Sequence, residues 1–476
     1  MKRHFWMAAA LILLAFALRL RDIDRYDLWY DEIGQVNVAS RVTLSEILQG
    51  ARKHHAASPL SYLGTALAMR LGGRSELALR FEPLIWSVLA AALTMRAARA
   101  LAPGSGLWAG LLAAVSPFAI RYAQEVRFYA LGLMWASAVF CLVTLAAKNE
   151  IRTNLRTWLA LGGAMTALLY SHVYSAFIVA PTLMMSLLLA RPGDRLKLAL
   201  WQASAYAVAG ALFIPWLLNG LTVRAHPFGS HVFTSHAQRA VAAGLELTPI
   251  VLPSVGHEVE GGFASAMVAL SVLSLAVAAI HVRRRPWLLA GMLGVALATL
   301  AVCAANLVVG YFFAPRQFLF LQPVRFALIG ATLTELGRSA QRVLYPLAVA
   351  GLTALSLVYT HADLHRNERE SWRPLTRAIA AQGAAPGALA FAVPYWTHTS
   401  PAYYLRLAGV EVVWQRPPGD RPTAADFQNA PSGSLVFISY ADADLLPLLR
   451  DAGFREVVPP PGAPAAPMRA LIKDGP

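Results

Sequence analysis

The stretch FWMAAALILLAFALRL, Phe5–Leu20, runs directly into RDIDRYDLWYDE, Arg21–Glu32, and this junction decides the fold class. Extended to residue 4, the apolar run reaches the roughly 17 to 25 residues that cross a bilayer. The charged segment after it cannot follow it into hydrocarbon. Lys2 and Arg3 precede the run as they would in a secretory signal. No small-residue cleavage site follows before Arg21, so a retained first span is expected.

The rest of the chain repeats this pattern. Of its 476 residues, 57% are apolar and only 14% charged, whereas a water-soluble domain carries about 25% charge. A cytosolic enzyme with a large core is thereby excluded. About eleven apolar runs of spanning length emerge, near 4–20, 81–101, 106–124, 128–147, 155–171, 173–190, 198–218, 263–281, 286–312, 317–336 and 342–360. The division of 155–190 at Ser171 is the tightest of these. Lys and Arg exceed Asp and Glu by 15, which in a soluble chain would suggest nucleic acid. Here alternate loops collect the excess: Lys2 and Arg3, Arg96 and Arg99, Lys148 with Arg152 and Arg156, Arg191 with Arg195 and Lys197, Arg283 to Arg285, and Arg338 with Arg342. Under the positive-inside rule that side is cytoplasmic, so the bilayer explains the charge and no nucleic-acid partner is needed. Cys141 and Cys303 sit in apolar runs without C-x-x-C or metal spacing.

The opposite side receives residues 21–80, the turn at 121–128, the His172 turn, a long loop near 219–262, the turn around Arg316 and everything after His361. Thr43 with Glu46 fits a capping box, and Ser58-Pro59 starts a second helix, so two amphipathic helices at 43–72 should lie on the membrane surface. From about 363 to 476 the composition becomes that of a small soluble domain, against a transmembrane domain at 1–362. Apolar stretches at 388–393, 411–414 and 434–439 read as buried strands, alternating with helices near 371–382, 400–408 and 442–452. The expected fold is therefore a polytopic α-helical membrane protein with a small C-terminal extracytoplasmic α/β domain. The Pro-rich stretch 459–467 reads as a loop.

Polar residues concentrate at the outer turns. Asp22, Asp24, Asp27, Asp31 and Glu32 follow the first span. A solvated face accounts for the first three. Asp31 and Glu32 differ because Trp29 and Tyr30, aromatics of the headgroup level, precede them. Arg121 to Tyr129 forms a second cluster, Tyr170 to Tyr174 with His172 a third, and Phe313 to Gln317 with Arg316 a fourth. Each alone reads as a polar cap on helix ends; their common side of the membrane is the stronger observation.

Leu28-Trp29-Tyr30-Asp31-Glu32, then Ser58-Pro59-Leu60-Ser61-Tyr62-Leu63, Ser75 to Phe81, and Ser116-Pro117-Phe118 through Gln124-Glu125-Val126-Arg127-Phe128-Tyr129-Ala130-Leu131 resemble, in this order, the GT-C membrane glycosyltransferases. The resemblance covers roughly residues 5–335 and is greatest to the family 39 group, which includes protein O-mannosyltransferases and lipid A aminoarabinose transferases. It implies a polyprenyl-phosphate sugar donor and transfer at the outer face of the membrane. It also implies that Asp31 is the catalytic base, that Glu125 is the second-loop acid, and that Arg127 and Arg316 bind the donor phosphate. Glu32, Gln124, Tyr129, His172 and Tyr174 would support them. Where relatives often read His-Pro-Pro-Leu this chain has Ala57-Ser58-Pro59-Leu60, which removes an imidazole; whether His54 or His55 replaces it stays open.

The residue types suit this chemistry independently. Transfer to an acceptor hydroxyl or amine needs one positioned carboxylate to take the proton, and the departing phosphate needs charge neutralisation, which guanidinium groups supply. A single displacement with one base predicts inversion at the anomeric carbon. A divalent ion, Mg or Mn, would be held by Asp31 and Glu125 if one is used; the sequence leaves metal dependence open. The acceptor would be a glycan, glycolipid or protein of the envelope, and the Ala-rich composition suggests a bacterial inner membrane. The alternative from another class is a transporter or flippase of lipid-linked sugars. Transporters place ionisable residues near the bilayer midplane and show repeated halves, whereas here the charges gather at helix ends. An inactive relative kept for assembly of an envelope complex is a third reading, against which Asp31, Glu125 and Arg316 stand. In the tail, Trp372, Tyr395 to His398 and Tyr403-Tyr404 could stack on sugar, although core packing is the commoner role of such residues.

Overall fold

The computed structural model describes residues 2–53, 58–222, 283–309, 315–335, 338–365, 371–382, 387–393, 395–416, 425–439, 444–460 and 468–474, with isolated positions 276, 280 and 442. They form two compact units. One comprises 1–21 with 38–362, the other 22–37 with 363–476. Residues 22–37, counted with the membrane part in the division at 362, thus pack with the C-terminal part.

The first unit is helical and is a multi-pass membrane protein. Its helices are α1 (Lys2–Leu20), α3 (Leu44–Lys53), α4 (Pro59–Gly72), α5 (Glu76–Leu101), α6 (Ser105–Val115), α7 (Pro117–Ala123), α8 (Tyr129–Ala147), α9 (Leu155–Ser171), α10 (Val179–Leu189), α11 (Arg195–Thr222), α12 (Pro286–Val309), α13 (Gln322–Leu333) and α14 (Arg338–His365), while α2 (Tyr30–Ala39) lies mostly in the second unit. Among the described residues five helices are long and apolar enough to span, or six if the bent pair α6 and α7 is one span, and Val173–Leu189 and His4–Leu20 are shorter apolar helices. The run expected at 263–281 falls outside the described residues apart from positions 276 and 280. Two helices form within 43–72: Thr43 and Glu46 cap α3 reciprocally, and Ser58 Oγ accepts from the Ser61 amide at the start of α4. Ser58 also donates to the Tyr170 carbonyl, tying α4 to the end of α9.

The run expected as one span at 106–124 is instead two helices, α6 and α7, bent by 56°. Pro117 has no N–H, so the carbonyl of Ala113 four residues earlier loses its helical donor. Arg19 of α1 replaces it. Its guanidinium donates to the carbonyls of Ala113 (2.8 Å), Ala114 (3.0 Å) and Ala15 (3.0 Å) and to Ser87 Oγ (2.7 Å), and the residue is 1% exposed. Inside a bilayer a carbonyl without a donor costs several kcal/mol, so this one side chain permits the break. Close helix packing accompanies it: a Cβ on Gly330 of α13 would lie 2.7 Å from the Ser105 carbonyl of α6, an approach that only the smallest residue permits.

In the second unit, a five-stranded sheet in the order β2-β1-β3-β5-β4 consists of β1 (Ala388–Val393), β2 (Val412–Trp414), β3 (Leu435–Ser439), β4 (Phe454–Glu456) and β5 (Met468–Lys473). β1 pairs in parallel with β2 and β3, and β5 runs antiparallel to β3 and β4. The helices are α15 (Arg373–Ala381), α16 (Thr399–Leu407), α17 (Ala425–Gln428) and α18 (Leu445–Asp451). The first three strands match the apolar stretches seen in the sequence; β4, of three residues, and β5, of six, were not read there, and both flank a Pro-rich segment. Phe391, Phe427, Val436, Ile438, Leu449 and Leu471 form the core. Trp372, Tyr403 and Tyr404 are buried at 2, 7 and 1% exposure, so these aromatics pack the domain and present no open sugar platform.

Arg19→Met should lower stability by about 2 to 6 kcal/mol, two carbonyls left without donors at roughly 1 to 3 kcal/mol each. Arg19→Lys should recover part of this, since an ammonium cannot spread its donors as a guanidinium does. Thermal unfolding in detergent measures both, and an unchanged midpoint for Arg19→Met would contradict the account of the break.

Candidate active site

The turn between α7 and α8 carries the second cluster. Ser116 Oγ caps the Ala119 amide and Pro117 occupies the first turn of α7, so the helix starts cleanly and ends after two turns at Gln124. The Gln124 amide donates to the carbonyls of Arg19 (2.9 Å) and Arg21 (2.7 Å), fixing the turn to the end of α1. Directly beyond it, Glu125 is 8% exposed, and its Oε1 lies 3.8 Å from Arg121 Nε. The Arg127 amide closes a tight turn onto the Glu125 carbonyl at 2.7 Å.

An aromatic floor supports these groups. Tyr122 packs edge-on against Phe118 and Tyr129 at 4.9 Å each, Phe128 lies 5.2 Å from the His172 ring, and His172 lies 5.8 Å from Tyr174. The 3₁₀ helix Pro315–Leu321 packs against α8 and places the Arg316 guanidinium 5.7 Å from the centre of the Tyr129 ring. Arg127 stands 5.3 Å over Phe128. The first unit therefore brings together Gln124, Glu125, Arg127, Tyr129, His172, Tyr174 and Arg316, seven residues singled out in the sequence. His172 keeps part of its surface, yet burial pushes its imidazole down to about 4; it is neutral at physiological pH and supports the floor as an uncharged ring. His54 and His55 lie outside the described residues.

Asp31 and Glu32 sit in the first turn of α2, in the second unit. They have different fates. Glu32 is fully buried and its Oε2 accepts from the Trp29 amide at 3.2 Å, the reach-back of a capping box. Asp31 is half-buried. Beside it Tyr30 has its phenol pushed up, first by burial and then by the Asp31 charge, against a hydrogen bond with Thr399. Asp27 departs from the solvated face expected for it: it is 5% exposed and bonded to the amides of Trp372 and Arg373. Asp24 is exposed, and Asp22 lies 3.9 Å from Arg25. Among the described residues no group of three or more His, Cys, Asp or Glu is placed to hold a metal ion. Glu125, one of the two expected ligands, has the Arg121 cation beside it, so these residues fit a metal poorly.

The sequence reading missed the buried charges Arg19, Glu76, Arg80 and Arg325. An ionisable residue within an apolar helix is the signal that marks such positions.

The family model of dolichyl-phosphate-mannose-protein mannosyltransferases matches residues 55–218. No curated protein sequence matches the chain significantly. Among solved structures, ArnT from Cupriavidus metallidurans bound to undecaprenyl phosphate is similar, with 14% identity, 98% of this chain and 99% of that chain covered, and a TM-score of 0.63. An Archaeoglobus fulgidus oligosaccharyltransferase, tethered to an acceptor peptide containing the NVT sequon, is similar at 12% identity and a TM-score of 0.50, over 86% of this chain and 64% of that chain. Over nearly its whole length the chain therefore has the fold of the ArnT structure.

Since the folded imidazole titrates near 4 and an unfolded one near 6.5, the unfolded chain binds more protons between these values. Stability contributed by neutral His172 is then complete above about 6.5 and is lost as pH falls towards about 4. Unfolding midpoints across this window should fall more steeply for the wild type than for His172→Phe, and equal slopes would place the titration elsewhere.

Proposed function

We propose that the protein is a membrane glycosyltransferase of the GT-C kind, moving one sugar from a polyprenyl-phosphate donor to an envelope glycan, glycolipid or protein at the outer face of a bacterial inner membrane. The observation that carries the reading is the pairing of two guanidinium groups, Arg127 and Arg316, on one aromatic floor beside the buried Glu125. Two fixed cations over rings suit a departing lipid phosphate, whose charge grows as the glycosidic bond breaks. The undecaprenyl phosphate bound in the ArnT structure is a ligand of this class.

In the proposed step the acceptor hydroxyl or amine attacks the anomeric carbon and its proton passes to Asp31. The bond from that carbon to the phosphate oxygen breaks, and polyprenyl phosphate leaves with its electron pair against Arg127 and Arg316. The sugar configuration inverts, because one displacement occurs and no glycosyl-enzyme forms. Glu125 orients the acceptor or the Arg121 guanidinium. Asp31 suits the base role better than Glu32, whose carboxylate is buried and committed to the cap of α2. No step requires a metal ion.

Mass spectrometry of envelope glycolipids and glycoproteins from a deletion strain tests this. One glycan should lose a single sugar, and the wild type but not Asp31→Asn should restore it, since loss of a general base costs about 10²- to 10⁴-fold. Equal restoration by Asp31→Asn would overturn the base and favour movement of lipid-linked sugar. Glu32→Gln should retain transfer while losing about 1 kcal/mol of stability, and Arg316→Ala should weaken binding of undecaprenyl phosphate about tenfold or more. Cleavage of the C-terminal domain by a protease confined to the cytoplasm would reverse the membrane orientation.

A further inference from the structure

α15 begins at Arg373 without a cap of its own, because Trp372 at the capping position has no side-chain acceptor to offer. Asp27, 345 residues away in sequence, supplies one. Its Oδ2 accepts from the amides of Trp372 at 2.6 Å and Arg373 at 2.7 Å, and its Oδ1 lies 3.2 Å from Arg373 Nη1. A buried carboxylate at a helix N-terminus gains from the helix dipole and from charge-assisted bonds together.

The neighbouring residues are held from the same domain. The Leu28 amide donates to the Tyr404 hydroxyl on α16, and Tyr404 is 1% exposed. Arg373 closes the cluster, its guanidinium 5.8 Å from the centre of the Tyr404 ring. Tyr30 hydrogen-bonds with Thr399, the first residue of α16. Asp27, Leu28 and Tyr30 are thus each fixed to α15 or α16, and Asp31 is the next residue in the chain. α2 is then stiffened from within by Glu32 capping the Trp29 amide.

We infer that the C-terminal domain serves as the mount for α2 and that Asp27 is a positioning residue for Asp31. This rests on the reading of Asp31 as the base. Asp27 touches no reacting atom; it sets where along the domain the segment begins, and hence where the carboxylate four residues later is presented. An effect of this kind falls on turnover, because a displaced base slows proton transfer while the lipid-phosphate cations of the first unit are untouched.

The test uses the full-length protein in detergent, with Asp27→Ala and Tyr404→Phe, the second removing only the hydroxyl that holds Leu28. Three readouts are compared: hydrogen exchange of amides 28–39, binding of undecaprenyl phosphate, and restoration of the missing glycan in the deletion strain. Asp27→Ala should speed exchange of 28–39 at least tenfold, leave undecaprenyl phosphate binding within twofold, and reduce transfer at least tenfold. Tyr404→Phe should move the same readouts in the same direction by about threefold, and it decides the matter if Asp27→Ala fails to fold. Asp27→Glu, which keeps the charge but lengthens the reach, should recover part of the transfer. Unchanged exchange, or faster exchange with full transfer, overturns the mount. Inactive Asp31→Asn beside fully active Asp27→Ala overturns the mount alone, whereas fully active Asp31→Asn overturns both it and the base.

Discussion

The first unit depends on how a membrane helix is broken without leaving its backbone unpaired. Ser116-Pro117 redirects the chain by 56° so that α7 ends in the turn bearing Gln124, Glu125 and Arg127. Proline alone makes the bend possible but strands carbonyls in a medium that offers no water. Arg19 resolves this with one planar group whose donors reach Ala113, Ala114 and Ser87 at once. A charge would ordinarily be unwelcome in an apolar interior. Here the partial negative charge at the C-terminal end of α6 is its counterpart, and the same residue offers its own carbonyl to Gln124. The break and the position of the turn beyond it are therefore set by one residue on α1.

Two adjacent acids show how local structure separates roles that composition cannot. Asp31 and Glu32 are neighbours with nearly the same chemistry. Glu32, at the third position of α2, reaches back to the Trp29 amide and is buried, while Asp31, one position earlier, is half-buried. A buried carboxylate already accepting a backbone hydrogen bond is a poor general base, which is why the proposed reaction assigns that role to Asp31 and not to Glu32. A parallel separation distinguishes the acids before them, since Asp24 is exposed, whereas Asp27 is enclosed by the backbone of α15.

Periodicity and length made the apolar helices, the two capped helices α3 and α4, and three strands legible, because apolar runs and capping residues are local signals. The cluster of Glu125, Arg127, His172 and Arg316 was legible only as a set of turns on one side; what joins them is an aromatic floor built from Tyr122, Phe128 and Tyr129, whose mutual contacts no spacing rule reports. The bend at Pro117 was hidden because its compensation lies nearly a hundred residues earlier, at Arg19. The role of Asp27 was hidden for the same reason and more severely, its partners being 345 and 346 residues away. Charge runs suggest solvent, and only a tertiary partner reverses that expectation.

The use of a charged cluster to hold the segment before α2 has a physical reason beyond stability. Apolar residues of similar volume would hold a buried contact as well or better, because an ion pair must first be stripped of water. Apolar contacts are non-directional, however, and tolerate sliding or rotation at small cost. The carboxylate of Asp27 has two amide donors and one guanidinium around it, and a shift of one residue in either direction would leave a buried charge and two helix amides unsatisfied. Such a contact permits one register. Under the proposed role of Asp31 that property is worth most immediately ahead of it, where proton transfer depends on close placement, and it gives a reason for a polar anchor where packing alone would keep the segment attached.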